Sequence, residues 1–143
     1  MAAGAPAGGT AKTFFRVKIW DLRGTLNTPQ RPVLLKLNLD NVFTAETNIV
    51  SNSRTPEWKF LNNNDPQSLK KDVKFRYSTR LPERLPRKFL TISLFERNKK
   101  GRETEWGRGT VPLDVLCRGP ERFRLSMVGE GGSYGVIEFQ IGR

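Results

Sequence analysis

From Phe14 onward the chain alternates: Phe15, Val17 and Ile19 fall on one side of an extended backbone, Arg16 and Lys18 on the other. The same period of two returns in Val33, Leu35, Leu37 and Leu39 against Lys36 and Asn38. It returns again in Leu90, Ile92 and Leu94 against Thr91 and Ser93, and in Ile137, Phe139 and Ile141 against Glu138 and Gln140. Shorter stretches at 43–50, 57–60, 73–77, 109–113 and 123–127 carry the same mark, so the pattern predicts about eight or nine strands. Turn chemistry separates them: Arg23-Gly24, Thr28-Pro29, Thr55-Pro56, the polar run Asn62-Asn63-Asn64-Asp65-Pro66, Leu81-Pro82, Leu85-Pro86, Lys100-Gly101 and Gly131-Gly132. Only 66–71 has some helical character, and it is too short to matter. Many short strands divided by turns predict an all-β sandwich or barrel.

Residues 1–12 are almost all Ala, Gly, Pro and Thr, which bury little apolar surface to offset the entropy of ordering, and they are expected to form a flexible tail. Residues 13–143 then make one domain, with no internal repeat, in a chain of 143 residues. Hydrophobic residues at 36% suffice for a core.

Histidine is absent, which removes Ser-His-Asp, Cys-His and His-ligated metal chemistry. The aspartates are scattered, and neither a phosphate-cradling glycine loop nor a nucleophile elbow is present, so the sequence predicts no enzyme and no cofactor. The single cysteine, Cys117, has no partner for an internal disulfide and is expected to be a small buried apolar residue. No apolar run is long enough to span a bilayer and no lipid-anchor motif is legible, so the expectation is a cytoplasmic protein, at most peripheral to a membrane or the cytoskeleton. With 25 Lys and Arg against 14 Asp and Glu, the net charge is +11, and the partner should present negative charge: an anionic phospholipid surface or an acidic protein surface.

Taken in order, four segments resemble a C2 domain. Phe15-Arg16-Val17-Lys18-Ile19-Trp20-Asp21-Leu22 is similar to the family's opening strand and turn. Arg31-Pro32-Val33-Leu34-Leu35-Lys36-Leu37 stands where the family has Ser-Asp-Pro-Tyr and a strand, and Arg54-Thr55-Pro56-Glu57-Trp58 resembles its Asn-Pro-x-Trp turn. The stretch from Leu90 to Asn98, then Gly101, Glu105-Trp106-Gly107 and Val111-Pro112-Leu113, is similar to its strand, third loop, hydrophobic-Gly pair and final Pro-Leu. The resemblance implies an eight-stranded antiparallel β-sandwich of Greek-key type. It also implies that Trp106 points into the core.

Members that bind calcium use several aspartates in the first and third loops, because a hard dication needs six to eight oxygen ligands. At the corresponding positions this chain has Arg31, Glu96, Asn98 and Thr104, with Arg97, Lys99, Lys100 and Arg102 close by. The resemblance therefore implies a degenerate, calcium-independent member with no metal. Glu96, Asn98 and Thr104 are expected to serve neighbouring amides or arginines.

Between Lys70 and Lys88 stand eight basic residues against Asp72 and Glu83. Lys74 and Arg76 share one strand face while Val73, Phe75 and Tyr77 take the other. C2 domains often carry a cationic sheet face for anionic lipid, and the likeness makes Lys70, Lys71, Lys74 and Arg76 the main candidate contacts. Lys99, Lys100 and Arg102 form a secondary group, and Lys36 and Lys59 are possible neighbours of the patch. About 1 kcal/mol per engaged cation gives about 4 kcal/mol for four, only about millimolar binding, so a second contribution is required. A different class of function stays open: degenerate C2 domains also serve as protein-interaction scaffolds in cytoskeletal or ciliary assemblies. Nucleic acid is disfavoured, because Phe75 and Tyr77 lie opposite the cations rather than among them.

Overall fold

The alternation that begins at Phe15 runs well beyond Ile19 and changes phase on the way. In the computed structural model, which describes residues 11–27, 31–62 and 65–143, β1 spans Thr13–Leu26. Phe15, Val17 and Ile19 point inward, and after Asp21 the buried positions become Leu22, Gly24 and Leu26. Asp21 adopts φ 58 and the register with the neighbouring strand shifts between Trp20 and Arg23, so a β-bulge reverses the faces.

The other strands are β2 (Val33–Leu39), β3 (Val42–Glu46), β4 (Phe60–Asn62), β5 (Asp65–Lys70) and β6 (Asp72–Thr79). They are followed by β7 (Phe89–Arg97), β8 (Glu103–Pro112), β9 (Glu121–Gly129) and β10 (Gly132–Gly142). Short 3-10 turns occupy Pro82–Arg87 and Leu113–Cys117. The β2–β3 hairpin turns on Asp40 and Asn41, both at positive φ (52 and 65), as a tight two-residue turn requires. The stretch 66–71, expected to be weakly helical, is instead strand as far as Lys70: Leu69 faces Leu61 and Lys70 faces Phe60 across the β4–β5 pair. A segment this short gains more from a ladder than from one isolated helical turn. Of the sequence readings, residues 1–10, Thr28-Pro29 and Asn63-Asn64 lie outside the described residues.

Eight strands run in the order β3-β2-β7-β8-β9-β10-β1-β6, with non-consecutive neighbours of Greek-key type, and β4-β5 forms a separate pair. The long sheet folds over between β8 and β9, where the ladder narrows to the single pair Arg108 and Val128. Two four-stranded halves thus enclose one core, an antiparallel β-sandwich. Ile19, Leu37, Phe60, Ile92, Leu94 and Phe139 are among its fully buried side chains. Trp58 fills the space beside Gly24, whose added Cβ would lie 2.9 Å from the indole, and Trp58 Nε1 donates to the Val33 carbonyl at 3.2 Å.

The two outermost strands, β3 and β6, approach each other at the far side of the sandwich without forming a ladder. A polar tie joins them there: the Tyr77 hydroxyl donates to Asp40 Oδ2 at 3.1 Å, and Lys88 Nζ reaches the same oxygen at 2.9 Å. Among the described residues no helix is long and apolar enough to cross a membrane.

Candidate functional site

β1 lies between β10 and β6, and β6 is the outermost strand of its half. The β1–β6 register sets Arg16 across from Arg76 and Lys18 across from Lys74. Directly paired residues of antiparallel strands project to the same side, so the four cations share one face while Phe15, Val17, Ile19 and Tyr77 turn to the core. Among them runs an open groove of about 400 Å³, lined also by Val17, Phe75 and Arg143. Among the described residues, one carboxylate pairs with this group: Asp72, at 3.8 Å from Lys18 Nζ. Aromatic rings stand at its ends, with the Arg76 guanidinium 4.7 Å from the Phe14 ring and Lys18 Nζ 4.9 Å from Trp20.

Two like-charged pairs facing each other across a ladder work against folding, by about 0.2 to 1 kcal/mol each. Cations on an outermost strand have an ordinary use, since they discourage edge-to-edge association. That accounts for Lys74 and Arg76 on β6. It does not account for Lys18, where β1 is paired with β10 on one side and β6 on the other, whereas Arg16 precedes the β10 ladder and is paired with β6 alone.

The other sequence-named cations divide. Lys70 lines a second cavity next to Asp72 and Lys74, at the end of the groove. Lys71 turns away and lines a separate hollow with Lys59, Arg23 and Glu57. Lys59 is thus a neighbour of Lys71 and not of Lys74. Lys36 is not part of the patch either: it sits on β2, in the other half of the sandwich, bonded to Glu103 and 4.9 Å from the Phe95 ring. That bond to Lys36, with Arg97 adding to it, lowers the Glu103 carboxyl pKa. Farther along the cationic face, Arg122 (2.8 Å) and Arg23 both bond Asp21 and hold its carboxyl down at about 2. Arg23 and Arg122 are therefore already paired, Arg122 with Glu138 as well at 4.0 Å, whereas Arg16, Lys74 and Arg76 have no ion pair among the described residues.

Lys99, Lys100 and Arg102 lie exposed in the β7–β8 connection, at the opposite end of the strands from Arg16, and do not join the groove. Asn98 organises this loop: its Oδ1 accepts from the amides of Lys100 and Arg102, both at 2.9 Å, and Gly101 takes φ 84. Arg31 pairs with Glu96 at 3.3 Å. Thr104 stands across from Glu96 in the ladder, exposed. Among the described residues, no three Asp, Glu or Cys side chains converge into a metal-ligating cluster. Trp106 packs against the core with its ring 5.5 Å from that of Tyr134.

Cys117 is exposed, contrary to the expectation that it is buried. It ends the 113–117 turn, whose inward positions are taken by Leu113, Val115 and Leu116.

Sequence reasoning placed Arg16 and Lys18 on the polar face of their strand but did not join them to Lys74 and Arg76. The signal was present as two alternating pairs of cations, yet which strands lie side by side is a long-range fact that neither segment carries. Arg143, next to the last strand, was missed for the same reason.

The sandwich is similar to several solved structures. A plant extended synaptotagmin 1 C2A domain superposes with a TM-score of 0.65 at 15% identity, over 90% of this chain and 92% of that one. A structure described as a C2 domain gives 0.64 at 11% identity, over 90% and 96%. A C2 domain-containing protein from a putative elicitor-responsive gene gives 0.61 at 13% identity, over 96% and 93%. No family model matches the sequence, and no curated protein sequence matches it significantly. Resting on the eight main-sheet strands, their order and the buried Trp58, the likeness is one of fold, and by fold this chain is a C2-like domain.

Proposed function

We propose that this domain is a non-enzymatic recruiting module that binds anionic phospholipid, independently of calcium, through the groove between β1 and β6. The observation that carries the reading is the facing of Arg16 with Arg76 and of Lys18 with Lys74. An arrangement that opposes folding is retained most simply where an external anion relieves it, and an open groove gives that anion access. Five cations line the groove, Arg143 included. At about 1 kcal/mol each they supply about 5 kcal/mol, still short of stable attachment by one copy.

Calcium independence rests on the Arg31–Glu96 pair and on the Asn98 side chain being spent on two loop amides. Both groups stand where calcium-binding relatives by fold would place charged ligands, and a cation entering there would also meet Lys99, Lys100 and Arg102.

The test is co-sedimentation with phosphatidylserine-containing liposomes at physiological salt, with calcium and with a chelator. The expected result is equal binding in both conditions, lost in the Lys74→Glu, Arg76→Glu double variant. Binding that needed calcium would overturn the reading of the loops. No binding in either condition would overturn the lipid assignment and favour the protein-scaffold alternative.

A further inference from the structure

The ends of the sandwich differ. One end carries the connections 47–59, 98–102 and 130–131. The other is formed by the start of β1, the Asp40-Asn41 hairpin, the segment 80–88 and the start of β7, as the pairings Thr13 with Thr79 and Leu39 with Leu90 require. Among the described residues, seven large apolar side chains are exposed, and four of them, Phe14 (58%), Val42 (65%), Leu81 (42%) and Phe89 (41%), lie at this second end. Single exposed apolar residues are ordinary; four grouped at one end of a basic protein are not.

Arginines surround them. The 82–87 turn is anchored by buried Leu85, which leaves Arg84 and Arg87 outside, and Arg80 is exposed just before it. None of these three has an ion pair among the described residues, and the single carboxylate of the turn is Glu83. The end is also continuous with the groove: Arg76 lines the groove and stacks on Phe14. By contrast the 98–102 loop at the other end holds Asn98, Lys99, Lys100, Gly101 and Arg102, with no apolar side chain to insert.

We infer that the domain meets an anionic bilayer with this arginine-ringed end, Phe14, Val42 and Phe89 entering the headgroup–acyl boundary while the groove cations hold headgroups beside it. The inference rests on the lipid reading above and supplies the second contribution that charge alone lacks. Cations grouped around protruding apolar side chains match a surface that is anionic at its headgroups and apolar just beneath. It sets the domain on the bilayer by the end opposite its calcium-type loops.

Two measurements on the full chain test it, both with vesicles of phosphatidylcholine and phosphatidylserine. The charge-conserving triple variant Phe14→Ser, Val42→Ser, Phe89→Ser should bind about tenfold or more weakly than the parent, with its circular dichroism unchanged. In a Cys117→Ser background, a polarity-sensitive fluorophore on Val42→Cys should shift to the blue on binding and be quenched by brominated lipid. The same label on Lys99→Cys should do neither. Parental binding in the triple variant, or a Lys99→Cys label that enters lipid while the Val42→Cys label stays in water, would overturn this orientation. If such binding were still lost in the Lys74→Glu, Arg76→Glu variant, the lipid reading would stand without it. A parent protein that fails to bind these vesicles would overturn both.

Discussion

Arg16 stands directly across the β1–β6 ladder from Arg76, and no carboxylate pairs with either of them among the described residues. Neighbouring Lys18 has a partial counter-ion in Asp72, 3.8 Å away. The Arg16–Arg76 pair is therefore the point of highest uncompensated charge on the groove, and removing one of its members should help folding and harm binding together.

Arg16→Gln is the cleanest variant, because Arg76 has a second role in stacking on Phe14. Relief of one like-charge pair should raise unfolding free energy by about 0.5 kcal/mol at low ionic strength. The gain should vanish near 1 M salt, where charges are screened over about 3 Å. Chemical denaturation at the two salt concentrations measures both values. A variant less stable than the parent at low salt would mean that the arginines are held together by something other than the fold.

The fold-over between β8 and β9 rests on a backbone approach that no side chain fits. A Cβ at Gly129 would lie 1.8 Å from the Trp106 carbonyl oxygen, and one at Gly107 2.9 Å from the backbone of Val128. Neither obstacle is a flexible side chain that could move aside. Gly129→Ala should therefore cost about 3 kcal/mol, at the upper end of overpacking effects, visible as a lower urea midpoint with little change in slope. Gly119→Ala, where an added Cβ meets nothing within 4 Å, is the control and should leave the midpoint nearly unchanged.

Much of this architecture was legible because it depends on local alternation. The runs at Phe15, Val33, Leu90 and Ile137 became β1, β2, β7 and β10, and the buried Trp58 follows the turn that resembled its counterpart in C2 domains. The bulge at Asp21 was not legible, since an αL aspartate leaves no mark in a hydrophobic pattern, and it made β1 longer than its first phase suggests. β5 was missed because residues 65–70 satisfy their backbone through β4 and have no alternation of their own. The candidate site was half visible. Lys74 and Arg76 could be read from one strand, whereas their association with Arg16 and Lys18 depends on pairing across more than fifty residues of chain. Lys36 looked like a free cation, and only tertiary placement beside Glu103 shows it to be spent on an ion pair.

The tie between the two outer strands makes a prediction about alkali. Tyr77 is raised from the usual 10.0 to about 12, first by burial and then by the adjacent Asp40 carboxylate, which also accepts its hydrogen bond. Both causes favour the neutral phenol in the folded state, so its contribution is fully present below pH 10 and is lost as pH rises through about 12. Tyr77→Phe should cost about 1 kcal/mol at neutral pH, the net worth of one hydrogen bond, while Lys88 continues to hold Asp40. Between pH 10 and 12 the parent should lose stability more steeply than the variant, so that their unfolding midpoints converge. Comparing the two proteins at each pH cancels the lysine titrations they share. A phenolate absorbance signal missing from the variant but titrating near pH 10 in the parent would show that the Tyr77–Asp40 bond does not join β6 to the β2–β3 hairpin in solution.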